Sequence, residues 1–168
     1  MAKRSDLIDV PMTIEWTKKS NRKYFLKHLI LTNNFTTMAE VGVRDGRTTF
    51  YLLDQIPQLT IYAIDLSING FYNDKIKAKY GERLIPIQGY SSRVADKIPK
   101  VDIVFVDADH RYLGCSADII AYMPKVKDGG ILSGHDIDYP GVNHAVNELI
   151  SSYDVGPNNV WFTSVSAS

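Results

Sequence analysis

The stretch Ala39–Phe50, "AEVGVRDGRTTF", decides the reading of this chain. An apolar run ends on an acid, two glycines stand four residues apart, and a second amphipathic run follows a threonine pair. Apolar residues before the loop and helix formers after it predict a strand, a tight turn and a helix. Glycine at such a turn lets the backbone approach a ligand closely. A helix starting beside Thr48 presents free N–H groups and the positive end of its dipole, which suits a phosphate or a carboxylate.

The same alternation runs through the chain. Helices are predicted over Ser20–Asn34, Thr48–Ile56, Tyr72–Gly81, Ser91–Ile98, Tyr112–Met123 and Pro140–Tyr153. Strands are predicted over Thr37–Val43, Thr60–Asp65, Arg83–Gly89, Val101–His110, Gly129–Asp136 and Val160–Val165. Pro86 marks the third strand as an edge or a bulge. Short connections between alternating elements predict an α/β fold, Rossmann-like and doubly wound. Its sheet is mainly parallel, of about six to seven strands, with helices on both faces. We expect one domain over residues 1–168, with a short N-terminal segment 1–19 and a core 20–165.

In such sheets the ligand lies beyond the carboxyl ends of the strands. Those ends carry Glu40 with Gly42, then Asp65, Gly89 with Ser91, Asp107 with His110, and His135 with Asp136. Asp65 ends the strand after the glycine turn, where a carboxylate can accept ribose hydroxyls. A nucleoside with an anionic end is therefore the expected ligand. The dinucleotide fingerprint G-x-G-x-x-G and the phosphate loop G-x-x-x-x-G-K-[ST] are both absent. This favours S-adenosylmethionine, which carries ribose, adenine and a carboxylate, over NAD.

Bulk properties narrow the class. Lys plus Arg and Asp plus Glu both number 19, so no net field draws the chain to a nucleic-acid backbone or an anionic membrane. The short basic clusters Lys3-Arg4 and Lys18-Lys19 with Arg22-Lys23 read as solvated, with a substrate-facing role as the alternative. One cysteine, Cys115, excludes an intrachain disulfide. The N-terminus lacks the apolar core of a signal peptide, and no run is long enough to span a bilayer. A cytoplasmic protein is expected.

"EVGVRDGRTTF" resembles the first motif of class I S-adenosylmethionine-dependent methyltransferases. It is most similar to that of the metal-dependent O-methyltransferases of the catechol and caffeoyl-CoA kind, E-x-G-x-x-x-G-x-[ST]. "FVDADHRY" resembles their fourth-strand motif D-A-D-K-x-x-Y, and "MPKVKDGGILSGHD" resembles their L-x-x-G-G-x-[LIV] strand. The resemblance spans roughly Met38–Ile150. It implies that Glu40, Gly42 and Gly46 form the methionine-side loop, that Thr48 binds the carboxylate, Asp65 the ribose, and that Ser91 lies near adenine. Asp107 would serve cofactor, catalysis and metal together.

The resemblance further implies a divalent metal between Asp107 and the pair His135–Asp136. The family's pair is Asp-Asn, so the imidazole here shifts the preference from Mg²⁺ toward Mn²⁺, Fe²⁺ or Zn²⁺. His110 stands where the family has a lysine and becomes the expected general base on an acceptor hydroxyl. The expected partner is a small molecule or sugar bearing that hydroxyl; nucleic acid is disfavoured because no N-P-P-[YF] motif occurs. Structural roles stay open: Thr48 or Ser91 as helix caps, Asp65 as a loop acid, His110 packing a helix, His135 only hydrogen-bonded. The family's last antiparallel strand is expected to be absent or supplied by a partner chain, which leaves a homo-oligomer open. A non-catalytic nucleoside-binding module and an NAD enzyme on a similar fold are the competing functions.

Overall fold

A computed structural model describes residues 22–167. Segment 1–19 and the proposed cap Ser20 lie outside the described residues. The chain runs α1 (Arg22–Thr32), β1 (Thr37–Val41), α2 (Arg47–Gln55), β2 (Thr60–Asp65), α3 (Asp74–Tyr80) and β3 (Leu84–Gln88). It continues through α4 (Ser91–Val94), β4 (Val101–Val106), α5 (Tyr112–Tyr122), β5 (Val126–Gly134), α6 (Pro140–Leu149), β6 (Asp154–Val155) and β7 (Trp161–Ser164). One seven-stranded sheet results, in the order β3-β2-β1-β4-β5-β7-β6.

Period-two alternation divides the strand residues between two cores. Met38, Ile61, Ala63, Ile103, Phe105 and Ile131 face one side, against Phe25, Leu26 and Leu29 of α1 and Leu52 and Leu53 of α2. Ala39, Val41, Ile64, Val104, Val106 and Leu132 face the other, against Ile119 of α5 and Val142 and Val146 of α6. Val101 breaks the alternation because the β4–β5 register shifts between Val101 and Ile103. With both faces covered, the central strands read as nearly continuous apolar runs.

Local turn signals follow two of the helices. Asn34 after α1 adopts φ +54°, and Gly81 after α3 adopts φ +56°. Pro86 lies in β3, which is indeed an edge strand. The last helix ends at Leu149 rather than Tyr153, because Ile150 turns to extended backbone at φ −119°. Past Tyr153 the chain forms the two-residue β6, Asp154–Val155, which the sequence did not signal.

The expectation of a missing antiparallel strand is corrected. β7 is that strand: it pairs antiparallel with β5 on one side and with β6 on the other. Trp161 is fully buried there, its ring filling the space beside Gly134, where an added Cβ would lie 2.5 Å from the indole. Among the described residues no helix is long and apolar enough to cross a membrane.

Candidate active site

The strand order reverses direction between β1 and β4, and the crevice at their carboxyl ends is the site. A cleft of about 870 Å³ opens there. Gly42 leaves β1 at φ +90°, and a Cβ at this position would stand 2.3 Å from the carbonyl oxygen of Asp107. Only glycine permits β1 and β4 to end this close together. Asp107 stays in register with β1, its N–H donating to Val41 O at 2.8 Å.

Asp65 shapes the loop. Its Oδ2 accepts the backbone N–H of Val43 and of Arg44, each at 2.8 Å, while Oδ1 accepts only from Ser67 N at 3.2 Å. Arg44 is thereby held at φ +60°. One carboxylate oxygen thus closes the turn, and the other keeps capacity to accept from a group in the cleft.

Of the threonine pair, Thr48 lines the cleft. Thr49 faces the sheet, and its hydroxyl donates to Glu40 Oε2. Sequence reasoning missed Thr49; two adjacent residues at a helix start point in different directions, so one of the pair had to face inward. Burial drives the Glu40 carboxyl up to about 8; the Thr49 hydroxyl opposes this and the Asp107 charge adds to it. Gly46 does not line the cleft. It caps α2 at φ +81°, in close contact with the Phe50 ring and with no side-chain cap.

Ser91, at the start of α4, lines the far end of the cleft. It is not the cap residue, which is Tyr90. Its hydroxyl donates to Oδ1 of Asp118, a buried α5 residue whose carboxyl burial raises to about 6. Leu66 and Tyr90, both well exposed, supply apolar surface beside them.

At the other end stand the strand-end acids and imidazoles. Asp107, His110 and Asp136 each offer a ligand atom, all within 4.8 Å of one another. His110 Nε2 lies 2.6 Å from Asp136 Oδ2 and 3.7 Å from Asp107 Oδ1. Asp136 reaches this position from a left-handed backbone, φ +57°, a conformation that Asp tolerates better than most residues. One imidazole nitrogen and two carboxylate oxygens fit a divalent cation.

His135 of the expected trio also stands beside these acids, its Nδ1 3.7 Å from Asp107 Oδ1, but the mutually close ligand atoms are those of Asp107, His110 and Asp136. His135 Nε2 meets Asn158 Oδ1 at 3.1 Å, and Nδ1 lies 3.3 Å from the Arg22 guanidinium and 3.1 Å from Asp136 Oδ1. Burial favours neutral His135, but the hydrogen bond and charge of Asp107, with the charge of Asp136, outweigh it and raise its pKa. His135 therefore braces the acids. Arg22, grouped in the sequence with a basic cluster read as solvated, instead ion-pairs with Asp107 Oδ2 at 3.3 Å. No local motif marks it, because it arrives from α1, 113 residues from His135.

Comparison with known proteins now bears on this geometry. A family model described as a methyltransferase domain matches residues 39–137. Among curated proteins, none matches the sequence. Solved structures share the fold at low identity. A Staphylococcus aureus protein described as a caffeoyl-CoA O-methyltransferase superposes with TM-score 0.67 at 16% identity, covering 94% of this chain and 86% of the other. Precorrin-6y C5,15-methyltransferase from Geobacter metallireducens gives 0.67 at 14%, covering 95% of each chain. MycE, from the mycinamycin biosynthetic pathway and solved with Mg and SAH, gives 0.62 at 19%, covering 88% of this chain and 47% of MycE. The family match starts inside β1, takes in the glycine loop and Asp65, and ends just past Asp136, so the chain belongs to the methyltransferase-domain family.

Proposed function

We propose that this chain transfers the methyl group of S-adenosylmethionine to a hydroxyl of a small-molecule acceptor. One observation carries the reading: a single cleft joins the Gly42–Asp65 loop to the His110–Asp136 pair. The cofactor would lie along the loop. Thr48 and the N-terminal N–H groups of α2 suit its carboxylate, Asp65 Oδ1 suits the ribose, and Leu66, Tyr90 and Ser91 suit adenine. MycE, bound to Mg and SAH, supports the cofactor and the cation by likeness of fold.

The acceptor would enter beside His110, whose ring lies 5.4 Å from that of exposed Tyr139. Its oxygen would take the sulfonium methyl, with the C–S bond breaking as the C–O bond forms, and the hydroxyl proton would pass to His110. Asp136 holds Nε2 of His110, which leaves Nδ1 to take that proton. A divalent cation would be held by Asp107 and Asp136, with His110 left free as the base, and would supply acidification of the hydroxyl when bound. The protein's own contribution is orientation and a placed base.

The test pairs calorimetry with S-adenosylhomocysteine and transfer of labelled methyl to a panel of catechols, sugars and sugar nucleotides. Binding together with transfer that falls about 10²–10⁴-fold in His110→Ala supports the reading. Binding without transfer to any hydroxyl favours a cofactor-binding module instead. Transfer that survives His110→Ala removes His110 as the base.

A further inference from the structure

Arg22 stands where a cation site has little need of another cation. Its guanidinium lies 3.3 Å from Asp107 Oδ2 and 3.3 Å from His135 Nδ1, and its side chain is 36% exposed against 13% for Asp107. Asp107 Oδ1 is the oxygen that faces His110 Nε2, so the two oxygens of one carboxylate look in different directions. The acids facing the site are Asp107 and Asp136, and Arg22 offsets one of their two charges. Nothing in the α1 sequence requires this. The buried face of α1 is carried by Phe25, Leu26, Leu29 and Ile30, and Arg22 is the first described residue of the helix.

We propose that Arg22 is a resident counter-charge that competes with a divalent cation for Asp107 and so sets the affinity of the site. This rests on the cation site read above. Without metal, the guanidinium keeps Asp107 paired at the crevice, which eases the repulsion between two neighbouring acids. A divalent cation at Oδ1 then meets a net charge one unit less negative and a guanidinium a few ångströms away, and both weaken its binding. Arginine suits this task because it keeps its charge at every accessible pH. The partial exposure of its side chain gives it room to withdraw when metal enters. Such a site fills only at high metal supply and leaves the carboxylates ordered when empty.

The experiment is Mn²⁺ titration of the full chain, followed by electron paramagnetic resonance of the free ion, in the wild type, Arg22→Gln and Arg22→Lys. Arg22 is partly exposed at a helix start, so neither substitution disturbs a core. Arg22→Gln should bind Mn²⁺ about tenfold more tightly. Arg22→Lys, which keeps the charge, should stay within about threefold of the wild type. Equal or weaker binding by Arg22→Gln overturns the counter-charge while leaving the cation site standing. Absence of binding in all three proteins removes the cation site, and the proposal with it.

Discussion

The Thr49 hydroxyl donates to the Glu40 carboxyl inside the wall between α2 and β1, and both side chains are shut off from bulk water. Burial makes the ionised form of Glu40 costly and lifts its pKa from 4.5 to about 8, against the pull of the Thr49 hydrogen bond. A carboxyl protonated in the folded state but ionised in the unfolded one destabilises the fold as pH rises. Its full stabilising effect is present below pH 4.5 and is lost as pH climbs through about 8.

The unliganded protein should therefore lose about 3 kcal/mol of stability between pH 5 and pH 8 that Glu40→Gln does not lose. Urea unfolding of both proteins across this range measures the difference. Parallel curves would mean that Glu40 stays ionised in the folded chain.

Asp65 separates two tasks by oxygen. Asp65→Ala removes the acceptor for Val43 and Arg44 and should lower stability by roughly 1–3 kcal/mol. It should also weaken S-adenosylhomocysteine by roughly 2–4 kcal/mol. Asp65→Asn keeps one oxygen to close the loop, so its unfolding temperature should stay near that of the wild type while affinity still falls. Calorimetric affinity unchanged in the alanine variant would remove Asp65 from the cofactor site.

Asp102 works at the opposite end of the sheet. Burial alone would raise its carboxyl, but the N–H of Thr36, the Lys127 ammonium and the hydroxyl and N–H of Thr37 bring it down from 3.8 to about 2. A depressed carboxyl stabilises the fold above its unfolded value and loses that effect as pH falls through the folded one. The wild type should thus lose about 2 kcal/mol between pH 4 and pH 2 that Asp102→Asn has already lost at pH 7. Acid titration followed by circular dichroism measures both; a variant as stable as the wild type at neutral pH refutes the assignment.

The sequence by itself determined the layer order. Apolar runs alternate with amphipathic ones, and hydrophobic period depends only on neighbours along the chain. Gly42, Asp65, Asp107 and Asp136 were placed at strand ends for the same reason. Tertiary structure decided which groups share a spot. A side chain just past a strand end points where the loop's φ and ψ send it: the left-handed turn at Asp136 carries its carboxylate to His110, and His135 reaches Asn158. Which oxygen of Asp65 closes the loop, and which threonine meets Glu40, follow from backbone approach rather than from spacing. Arg22 joins Asp107 only because α1 packs its buried face against the strands that β4 flanks. Local pattern encodes periodicity and turns, but contacts between distant segments arise only when packing brings their ends together.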